Sequence, residues 1–588
     1  MKNLVLFPIW LFSICISYSQ KHDYVWLLGY YGQNYSPNLG GFKIDFNYEP
    51  LQIKEIDTNF SFQSTVAGVS DKLGQLLLYT NGITVINNYF NIIENGDSLN
   101  PDGISLDYYK FGLNVNQGAI ILPHPSNDSL FFIFHMPIDW NIQINSHIPK
   151  LYFSLVNVYK SEGNPAIIDK NHLLIEDTLI WGKLTATRHA NGSDWWVITG
   201  ERDTFTNVIY KLLLTSNGIE NIERVEVSPS IFYDAPSIGN AIFTPDGTKY
   251  IRHDIRFDPW NVIDIYDFDR CSGEFYFKEH IELSDTSFLY GGSAVSPDSR
   301  YLYASTNNRV FQFDLTAPNI EATKTKVAEF DGYVAFWFPS YFGTPQLGPN
   351  GKIYIASAVG DTVMHVINAP NQPGLASHLA QHSINLPNLN DNSIPNFPNY
   401  RLGPLDGSPC DTLGLDNHPL AGFTYFAEEL AVTFSDNSYY RPEEWEWDFG
   451  DGSGSTERNP ITAYDAPGEY YVCLTVRNEI DEDTYCRYIQ VDTMMVVGVL
   501  EPGETGKVAV FPNPASGQFN LQFDLPGTDK VAFSLHDVAG RQVRAWDLPG
   551  GKGYFTLPLF GVAEGMYFWR VASGGRFLGS GKITVKGR

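Results

Sequence analysis

The sequence has few basic residues and a single long apolar run. Its 39 Lys and Arg residues face 66 Asp and Glu residues, which gives a formal net charge of −27. Nucleic-acid-binding proteins instead concentrate Lys and Arg, so we expect no nucleic-acid partner. Beyond the N-terminal run, no stretch approaches the roughly 20 apolar residues that a membrane helix needs. The sequence therefore predicts no transmembrane segment.

Short motifs of metal binding and nucleophilic catalysis are also missing. The sequence contains no His-Glu-x-x-His, Cys-x-x-Cys or Gly-x-Ser-x-Gly pattern, and such patterns mark zinc sites, redox pairs and hydrolase nucleophiles. We predict no cofactor and assign no catalytic residue. Since some folds assemble an active site from distant segments, enzymatic activity stays undecided, with a non-enzymatic protein the favoured interpretation.

The one long apolar run begins the chain. Lys2 is followed by the apolar residues 4–16 and then by small or polar residues up to Gln20. This is the pattern of a secretory signal peptide over residues 1–20, and cleavage near Ser19 or Gln20 would leave a mature chain that starts at about Lys21. Cys15 raises the alternative of a lipoprotein signal, but Ile14 stands where a small residue would be expected.

Cysteine is scarce, and export permits disulfides. Removal of the signal peptide leaves Cys271, Cys410, Cys473 and Cys486, which allow three pairings. Cys473 and Cys486 lie on two strands that are predicted to form a hairpin, so this pairing is favoured. Cys271 and Cys410 are then paired by elimination.

Residues 21–405 contain a repeated turn. Residues 295–306 combine an apolar strand, a corner of Pro, Asp and Ser, and an aromatic-rich strand, and the same pattern appears at residues 243–251 and 347–356. Looser copies surround Gly74, Asn127 and Gly192, so the step is roughly 50 residues. Pro fixes φ at the first corner position, while Asp, Asn and Gly accept the turn conformations that follow.

A period of roughly 50 residues with several short strands and no helical pattern is typical of a β-propeller blade. One further strand at residues 24–29 lies about one period before the first copy, which makes seven units. We therefore predict an all-β chain in which residues 21–405 form a β-propeller of about seven blades. The alternative is a pair of stacked β-sandwiches with similar turns.

Residues 410–493 form a second predicted module. Trp445, Trp447 and Phe449 alternate along one strand, and Gly450-Asp451-Gly452 follows as a hairpin corner. This stretch closely resembles the polycystic kidney disease (PKD) domain, which implies an immunoglobulin-like β-sandwich. Asp448 and Asp451 are weak calcium candidates, because calcium needs six or more oxygen ligands. The alternative is that both carboxylates cap the turn.

A linker at residues 494–507 leads to a third β module, residues 508–588. Its residues 508–515, 533–541, 565–571 and 581–585 resemble the type A C-terminal sorting domain of type IX secretion, which implies a small β-sandwich. The resemblance implies export across the inner membrane by the signal peptide and across the outer membrane by the type IX translocon. Sortase machinery of that system then removes the domain, and the cargo is released or attached to the cell surface.

Four further segments of the propeller region resemble secreted Bacteroidota proteins that are described as gliding-motility-associated or PKD-domain-containing. They are residues 74–82, 188–196, 269–273 and 395–402. The last of these is rich in Pro and Asn, so it is predicted to close the propeller without forming a central strand. The resemblance implies architecture and location, and it implies no catalytic activity.

Arg188 and His189 form the polar pair of most interest in the propeller region. They precede a predicted inner strand and lie close in sequence to Trp195 and Trp196. A guanidinium fork and a titratable ring beside aromatic side chains could bind an anionic or sugar ligand. The alternative is that both residues link blades through carbonyls and carboxylates.

Three functions are consistent with these features of the sequence. The favoured one is a secreted or cell-surface binding or adhesion protein without enzymatic activity, whose propeller recognises an extracellular glycan or surface protein and whose PKD domain is a spacer or auxiliary binding module. The second is a propeller hydrolase or lyase that acts on extracellular polysaccharide, and the third is a structural component of gliding or adhesion. Two close carboxylates at the ring axis, drawn from loops, would favour the enzyme, and an axis plugged by apolar side chains would favour the other two. Loop candidates are Asp71, Asp139, Asp203, Asp234 and Asp258.

Overall fold

Every long element of the described chain is a β-strand, which confirms the predicted all-β fold. Within the described residues, the helical elements are the two 3-10 turns Glu321–Thr323 and Gly374–Ser377, and no helix there is long and apolar enough to span a bilayer. The predicted signal peptide lies outside the described residues except for Gln20. The computed structural model describes residues 20–586 other than 31–38, 59, 102–110, 142–144, 162–163, 203–206, 229–237, 256–260, 284–289, 336–337, 391–392, 492–506, 517, 537–540, 560–561 and 574–575.

The first 29 strands form a series of antiparallel meanders, in which strands that are neighbours in sequence pair side by side. In chain order they are β1 (Val25–Gly29), β2 (Gly41–Asp45), β3 (Gln52–Ile56); β4 (Ala67–Ser70), β5 (Leu76–Thr80), β6 (Val85–Asn87); β7 (Ala119–His124), β8 (Asn127–His135), β9 (Asp139–Asn141), β10 (Asn145–Ser161), β11 (Asn164–Leu179); β12 (Thr185–Arg188), β13 (Trp195–Glu201), β14 (Val208–Thr215), β15 (Gly218–Glu226); β16 (Ile238–Phe243), β17 (Lys249–Ile255), β18 (Asn261–Phe268), β19 (Phe275–Glu282); β20 (Gly291–Val295), β21 (Tyr301–Thr306), β22 (Arg309–Asp314), β23 (Thr325–Glu329); β24 (Val334–Ala335), β25 (Phe338–Pro339); and β26 (Phe342–Leu347), β27 (Ile353–Ser357), β28 (Asp361–Ile367), β29 (Leu379–Asn390).

Seven successive meanders of three or four principal strands can be distinguished in this part of the described chain, apart from the two-stranded β24–β25 hairpin. The third and fourth are joined by the pair Leu179–Glu201 into one nine-stranded sheet that includes β9. Because two meanders share a sheet, the count of about seven separate blades stays a prediction.

The first and last meanders share one hydrophobic core. Trp26 and Phe42 from β1 and β2 lie in the same buried cluster as Tyr354 and Met364 from β27 and β28. The Trp26 and Tyr354 rings meet edge to face with 5.7 Å between their centroids. Contact between the first and last meanders is what a closed ring requires, and closure removes the exposed sheet edges.

The three most regular copies of the repeat form equivalent turns. In each, the side chain of the corner Asp or Asn accepts a hydrogen bond from the backbone N–H two residues later, at 3.0 Å for Asp246, 3.1 Å for Asp298 and 3.4 Å for Asn350. The next residue adopts a left-handed conformation in all three turns, at Gly247, Ser299 and Gly351. The period read from the sequence therefore marks one structural position in successive meanders.

Residues 393–405, here named the axial segment, run through the centre of the ring without pairing as a strand. Asn396 contacts three meanders: its backbone N–H donates to Val66 O at 2.9 Å, and its Nδ2 donates to Ala119 O at 2.9 Å and to Leu184 O at 2.8 Å. These acceptors lie at the first strands of three successive meanders. The predicted closing segment therefore fills the axis.

The axial segment runs antiparallel to β1. Ser393 donates its hydroxyl to Phe62 O and Gln63 O, both at 2.6 Å, near the end of β1, whereas Arg401 pairs with Asp23, just before its start. Phe397 packs between the two against the shared core of the first and last meanders. The segment thus occupies the place of an inner strand for the first meander, which has three strands of its own.

The second module is a two-sheet sandwich, as predicted for a PKD domain. One sheet has the order β30-β31-β34 and the other β33-β32-β35-β36. Trp447 and Phe449 lie in the core between the sheets with Phe434 and Leu474, and Trp445 is partly buried beside them. The strands are β30 (Phe423–Glu428), β31 (Ala431–Asp436), β32 (Glu444–Asp448), β33 (Gly454–Ser455), β34 (Ile461–Ala463), β35 (Gly468–Arg477) and β36 (Glu482–Val491).

Both predicted disulfides are present. Cys473 and Cys486 face each other in the register of β35 and β36, with 4.1 Å between their Cα atoms. Cys271, in the turn after β18, is bonded to Cys410, just beyond the axial segment, and their Cα atoms are 5.6 Å apart. The second bond holds the segment between propeller and PKD domain against the fifth meander.

The chain divides into one compact unit that ends at Val491 and another that begins at Asp492. The second unit has a sheet of order β37-β41-β40-β38-β39, in which β37 also pairs with β38, so the sheet closes around a core that includes Phe519, Leu535 and Ile583. Residues 537–540 of the sorting-domain motif lie outside the described residues. The strands are β37 (Lys507–Ser516), β38 (Gln518–His536), β39 (Gln542–Pro558), β40 (Gly565–Ser573) and β41 (Arg576–Lys586).

Candidate functional site

The four residues predicted to bind a ligand flank the turn between β12 and β13. The Arg188 guanidinium lies 3.9 Å from the centre of the Trp195 ring and donates to Ser193 O. The His189 ring is tilted against Trp196 with 5.8 Å between centroids. The four side chains thus form two pairs, and Trp195 and Trp196 belong to different hydrophobic clusters.

Three of these side chains also bind backbone carbonyls of the neighbouring meanders. His189 Nε2 lies 3.1 Å from Cys271 O, Trp195 Nε1 donates to Pro123 O at 3.2 Å, and Trp196 Nε1 donates to Arg270 O at 2.8 Å. These bonds match the alternative of residues that link blades. A ligand-binding role for the four residues stays a prediction.

The calcium candidates of the PKD domain cap the turn between β32 and β33. Asp448 accepts a hydrogen bond from Gly450 N at 2.9 Å, and Asp451 accepts from Ser453 N at 2.8 Å. In the part of the chain that the structure describes, no group of three or more His, Cys, Asp or Glu side chains could hold a metal ion. Calcium binding at Asp448 and Asp451 stays a prediction.

The loop carboxylates suggested for a hydrolase do not meet at the axis within the described residues. Asp71 caps its own turn by accepting from Leu73 N and Gln75 N, both at 2.8 Å, and Asp139 lies in β9. Asp203, Asp234 and Asp258 are outside the described residues. A small axial cavity of about 20 Å³ is lined by hydroxyls, carboxamides and apolar groups of residues Ser64, Asn116, Gln117, Asn240, Thr344, Gln346, Ile394, Pro395 and Asn396.

A larger cavity of about 520 Å³ lies between the propeller and the PKD domain, and its volume is in the range of small-ligand sites. We name it the PKD-facing cleft. Its walls are the repeat turns near residues 244–248 and 297–299, the end of β26, the axial segment, and the PKD loop at residues 437–443. The repeat that organises the sequence thus supplies much of this surface.

The PKD loop is fixed against the propeller by polar contacts. Asn437 Nδ2 and the Tyr439 hydroxyl both donate to Pro349 O, at 2.9 and 3.3 Å. On the adjacent turn, Asn371 Nδ2 donates to Asn459 Oδ1 at 2.9 Å. Tyr440 follows in the same loop and has a φ of 62°. This left-handed backbone conformation is strained for a residue other than glycine, and such residues cluster at functional sites.

Two buried guanidiniums, of Arg270 and Arg401, line the cleft, and the buried guanidinium of Arg188 is not part of its lining. Arg188, Arg270 and Arg401 have 6%, 4% and 5% of their surface exposed. Arg401 forms a two-point ion pair with Asp23, at 2.6 and 2.7 Å. Burial alone would lower the pKa of Arg401, but the Asp23 carboxylate raises it well above its ordinary value.

Arg188 and Arg270 form no ion pair with a carboxylate of the described chain. Arg270 donates to the carbonyl oxygens of Arg188 at 2.9 Å, His189 at 3.2 Å and Gly403 at 2.5 Å. Burial lowers the pKa of each of these arginines to about 10, so both keep their charge at neutral pH. The sequence singled out Arg188, but it gave no signal that Arg270 donates to the backbone of Arg188 and His189.

Comparison with known proteins identifies both C-terminal modules. Residues 425–493 match the PKD domain family, and residues 509–586 match the family described as "Secretion system C-terminal sorting domain". The chain is similar to the crystal structure of the PKD1 domain from the Vibrio cholerae metalloprotease PrtV, at 38% identity over 13% of this chain and 98% of that one, with a TM-score of 0.13. The PKD1 domain of Vibrio anguillarum Epp is 30% identical over 14% of this chain and 100% of that one, with a TM-score of 0.13.

The propeller region also has a structural likeness. The β-propeller domain of Myceliophteria thermophila Cps50 (Swd1) is 12% identical over 54% of this chain and 87% of that one, with a TM-score of 0.31. A search of curated proteins gave no match. The protein is therefore a secreted or cell-surface protein of type IX secretion, in which residues 425–493 match the PKD domain family and residues 509–586 match the sorting-domain family.

Proposed function

We propose that the protein is a non-enzymatic extracellular binding or adhesion protein, and that it recognises its ligand in the PKD-facing cleft. The observation that carries this proposal is the axial segment, because it fills the place where a propeller enzyme assembles its catalytic groups. The Asn396 side chain donates hydrogen bonds to Ala119 O and Leu184 O, so it links neighbouring meanders of the ring. Catalysis at the axis would require this segment to leave.

The PKD domain then acts as an auxiliary part of the binding site. Its loop forms one wall of the cleft, and its contacts with Pro349 and Asn371 fix that wall. The Cys271–Cys410 bond restrains the segment that precedes the domain. A spacer would need few contacts of this kind, so the contacts favour the auxiliary binding role over the spacer role.

The test combines binding and activity on one protein. The mature chain is applied to arrays of extracellular glycans and of surface proteins, and the same preparation is assayed for hydrolase and lyase products on polysaccharides. We expect a bound ligand and no products. Turnover that survives purification to homogeneity would show that the protein is an enzyme, and absence of any ligand on both arrays would count against the binding role.

A matched pair of variants locates the ligand. Thr248 lines the cleft and Thr316 does not, but both are exposed and both bind the Asp two residues earlier through the hydroxyl, at 2.9 and 2.6 Å. Thr248→Trp should obstruct the cleft and weaken binding, whereas Thr316→Trp should leave it unchanged. Equal binding by the two variants would place the ligand elsewhere on the molecule.

A further inference from the structure

The larger sheet of the PKD domain presents two exposed tyrosines side by side on its outer face. Tyr471 on β35 and Tyr488 on β36 are direct partners in the antiparallel register, and 49% and 61% of their surface is exposed. Their rings lie 4.8 Å apart between centroids. The neighbouring residues Val472 and Leu474 point the other way, into the core of the sandwich. The tyrosine pair therefore leaves a large aromatic surface in contact with water.

Carboxylates lie on both sides of the tyrosine pair along the sheet. Glu469 precedes Tyr471 by two residues on β35, so both side chains point outwards. In the other direction, Asp448 and Glu446 of β32 pair with Cys473 and Thr475, which continue the same face. We name the outward-facing residues Glu446, Asp448, Glu469, Tyr471, Arg477 and Tyr488 the tyrosine face. None of these residues lines the PKD-facing cleft.

The module that carries the tyrosine face is strongly acidic. Residues 410–493 contain 18 Asp and Glu residues, four Arg residues and no Lys, which gives a formal charge of −14 within the −27 of the whole chain. About half of the excess negative charge of the protein is thus concentrated in this one module. Such a field attracts cations and repels anions.

The four arginines of the module are already paired with carboxylates. Arg477, the one cation of the tyrosine face, binds Glu446 and Glu482, both at 2.8 Å. The other pairs are Arg441 with Asp406, Arg458 with Asp436 and Arg487 with Glu49. The negative charge of Asp448 and Glu469 is therefore left for a cation from outside the module.

We propose that the tyrosine face binds a basic polypeptide segment of a partner protein. Tyrosine rings attract ammonium and guanidinium groups, and carboxylates form charge-assisted hydrogen bonds with the same groups. Tyrosine is also enriched in protein interfaces, where a few aromatic residues carry much of the binding energy. The inference goes beyond the proposed function, because it concerns another surface and another class of ligand than the PKD-facing cleft.

The shape of the tyrosine face favours a polypeptide over a small cation. Small ligands bind in concave sites, whereas this surface is one open face of a β-sheet. Six residues of β35 separate Glu469 from Thr475, the position opposite Glu446, which corresponds to roughly 20 Å. One small cation cannot reach both carboxylates, but several basic side chains on one chain can.

The test uses the full mature chain and a synthetic peptide of alternating lysine and serine. The reference is the same peptide with every lysine acetylated, because acetylation removes the charge. Fluorescence anisotropy measures the affinity at low and at physiological salt. We expect the lysine peptide to bind at least about ten-fold more tightly than the acetylated one, and its affinity to fall as salt is added. Equal affinity for the two peptides would overturn the inference.

Variants of the tyrosines assign the contact. Tyr471→Ala and Tyr488→Ala should each weaken binding of the lysine peptide about five-fold, whereas Tyr488→Phe keeps the ring and should bind nearly as well as the wild type. Tyr276→Ala is the control, because Tyr276 is a similarly exposed tyrosine, at 58%, on β19 of the propeller. Thermal melts confirm that each variant folds, and if one alanine variant does not, the other decides. Unchanged affinity in the folded alanine variants would contradict the assignment.

Further outcomes distinguish this inference from the proposed function. Peptide binding that is lost in Thr248→Trp, in the PKD-facing cleft, and retained in the tyrosine variants would place the peptide in the cleft and overturn the inference. Displacement of the peptide by spermidine at equal concentration would show that a small cation suffices, and it would overturn the polypeptide assignment. Peptide binding that survives Thr248→Trp and is weakened in the tyrosine variants would support the tyrosine face, whatever the cleft binds.

Discussion

Arg401 and Asp23 form a buried two-point ion pair across 378 residues of sequence. The two nitrogen–oxygen distances are 2.6 and 2.7 Å, and the side chains have only 5% and 8% of their surface exposed. Arg401 Nη1 also donates to Gln20 O at 3.0 Å. One guanidinium therefore joins the start of the described chain to the end of the propeller.

Loss of this ion pair should destabilise the propeller. Arg401→Met leaves the Asp23 carboxylate buried without its partner, and we expect a loss of about 3–5 kcal/mol in the free energy of unfolding. Urea denaturation of the mature protein measures it. Arg309→Met is the control, because Arg309 pairs with Glu329 at the exposed surface, where ion pairs contribute little. Similar midpoints for the two variants would contradict the structural role of Arg401.

Asn396 should be the most sensitive carboxamide of the axial segment. Asn396→Leu leaves Ala119 O and Leu184 O without their donor, and each unsatisfied buried acceptor is expected to reduce stability by about 1–3 kcal/mol. Asn399→Ala removes a single side-chain donor, to Pro245 O at 2.7 Å, and should have a smaller effect. The urea midpoints of the two variants are compared. An equal loss of stability in both would show that Asn396 is not the main contact between the axial segment and the meanders.

Stability should fall as the pH drops below about 6.5. Burial lowers the pKa of His22, His253 and His365 to about 4, so these rings are neutral in the folded protein and take up a proton more readily in the unfolded chain. Stability is then fully present above pH 6.5 and is lost progressively as the pH falls towards 4. His280 acts in the opposite sense, because its hydrogen bond to Asp264 raises its pKa.

Urea midpoints measured between pH 7.5 and pH 4.5 test this dependence. His22, His253 and His365 each contribute up to about 1.4 kcal/mol for each pH unit in that window. His253→Gln should flatten the profile, since the wild-type ring is held neutral between Ser293 and Asn261, at 2.9 and 2.6 Å. A profile that does not change with pH, or one as steep in the variant, would contradict the prediction.

Deletion of residues 508–588 in the native host should trap folded protein in the periplasm. The predicted signal peptide should still direct the first export step, but the truncated chain lacks the sorting domain matched at residues 509–586. Immunoblots of periplasm, cell surface and medium measure the distribution. As a control, the same residues fused to a periplasmic reporter should carry that reporter out of the cell. Normal surface levels of the truncated chain would show that the module has another role.

Local chemistry made much of the fold predictable. The repeat turns at Gly247, Ser299 and Gly351 follow from Pro and from Asp or Asn at the corner, because each turn depends on residues within a short stretch. The Cys473–Cys486 bond follows from the register of one hairpin. Both predictions use contacts between residues that are close in sequence.

The candidate site was only partly predictable, because its contacts span the chain. Arg188 could be singled out because Trp195 and Trp196 follow closely, but Arg270, which donates to its backbone carbonyl, lies 82 residues later. The PKD domain forms a wall of the cleft because Asn437 and Tyr439 donate hydrogen bonds to Pro349 O of the propeller. No periodicity or motif in a single sequence predicts a contact between two such distant residues.

The position of the axial segment also sets the order in which the propeller can be completed. Export delivers the chain from its N-terminus, so every meander reaches the periplasm before residues 393–405 arrive to join them. Until then Asp23 lacks its guanidinium, and the first meander lacks the segment that lies along β1. A ring exported from its N-terminus is therefore completed only when residues 393–405 arrive, because Arg401 and Asp23 join the two ends of the propeller.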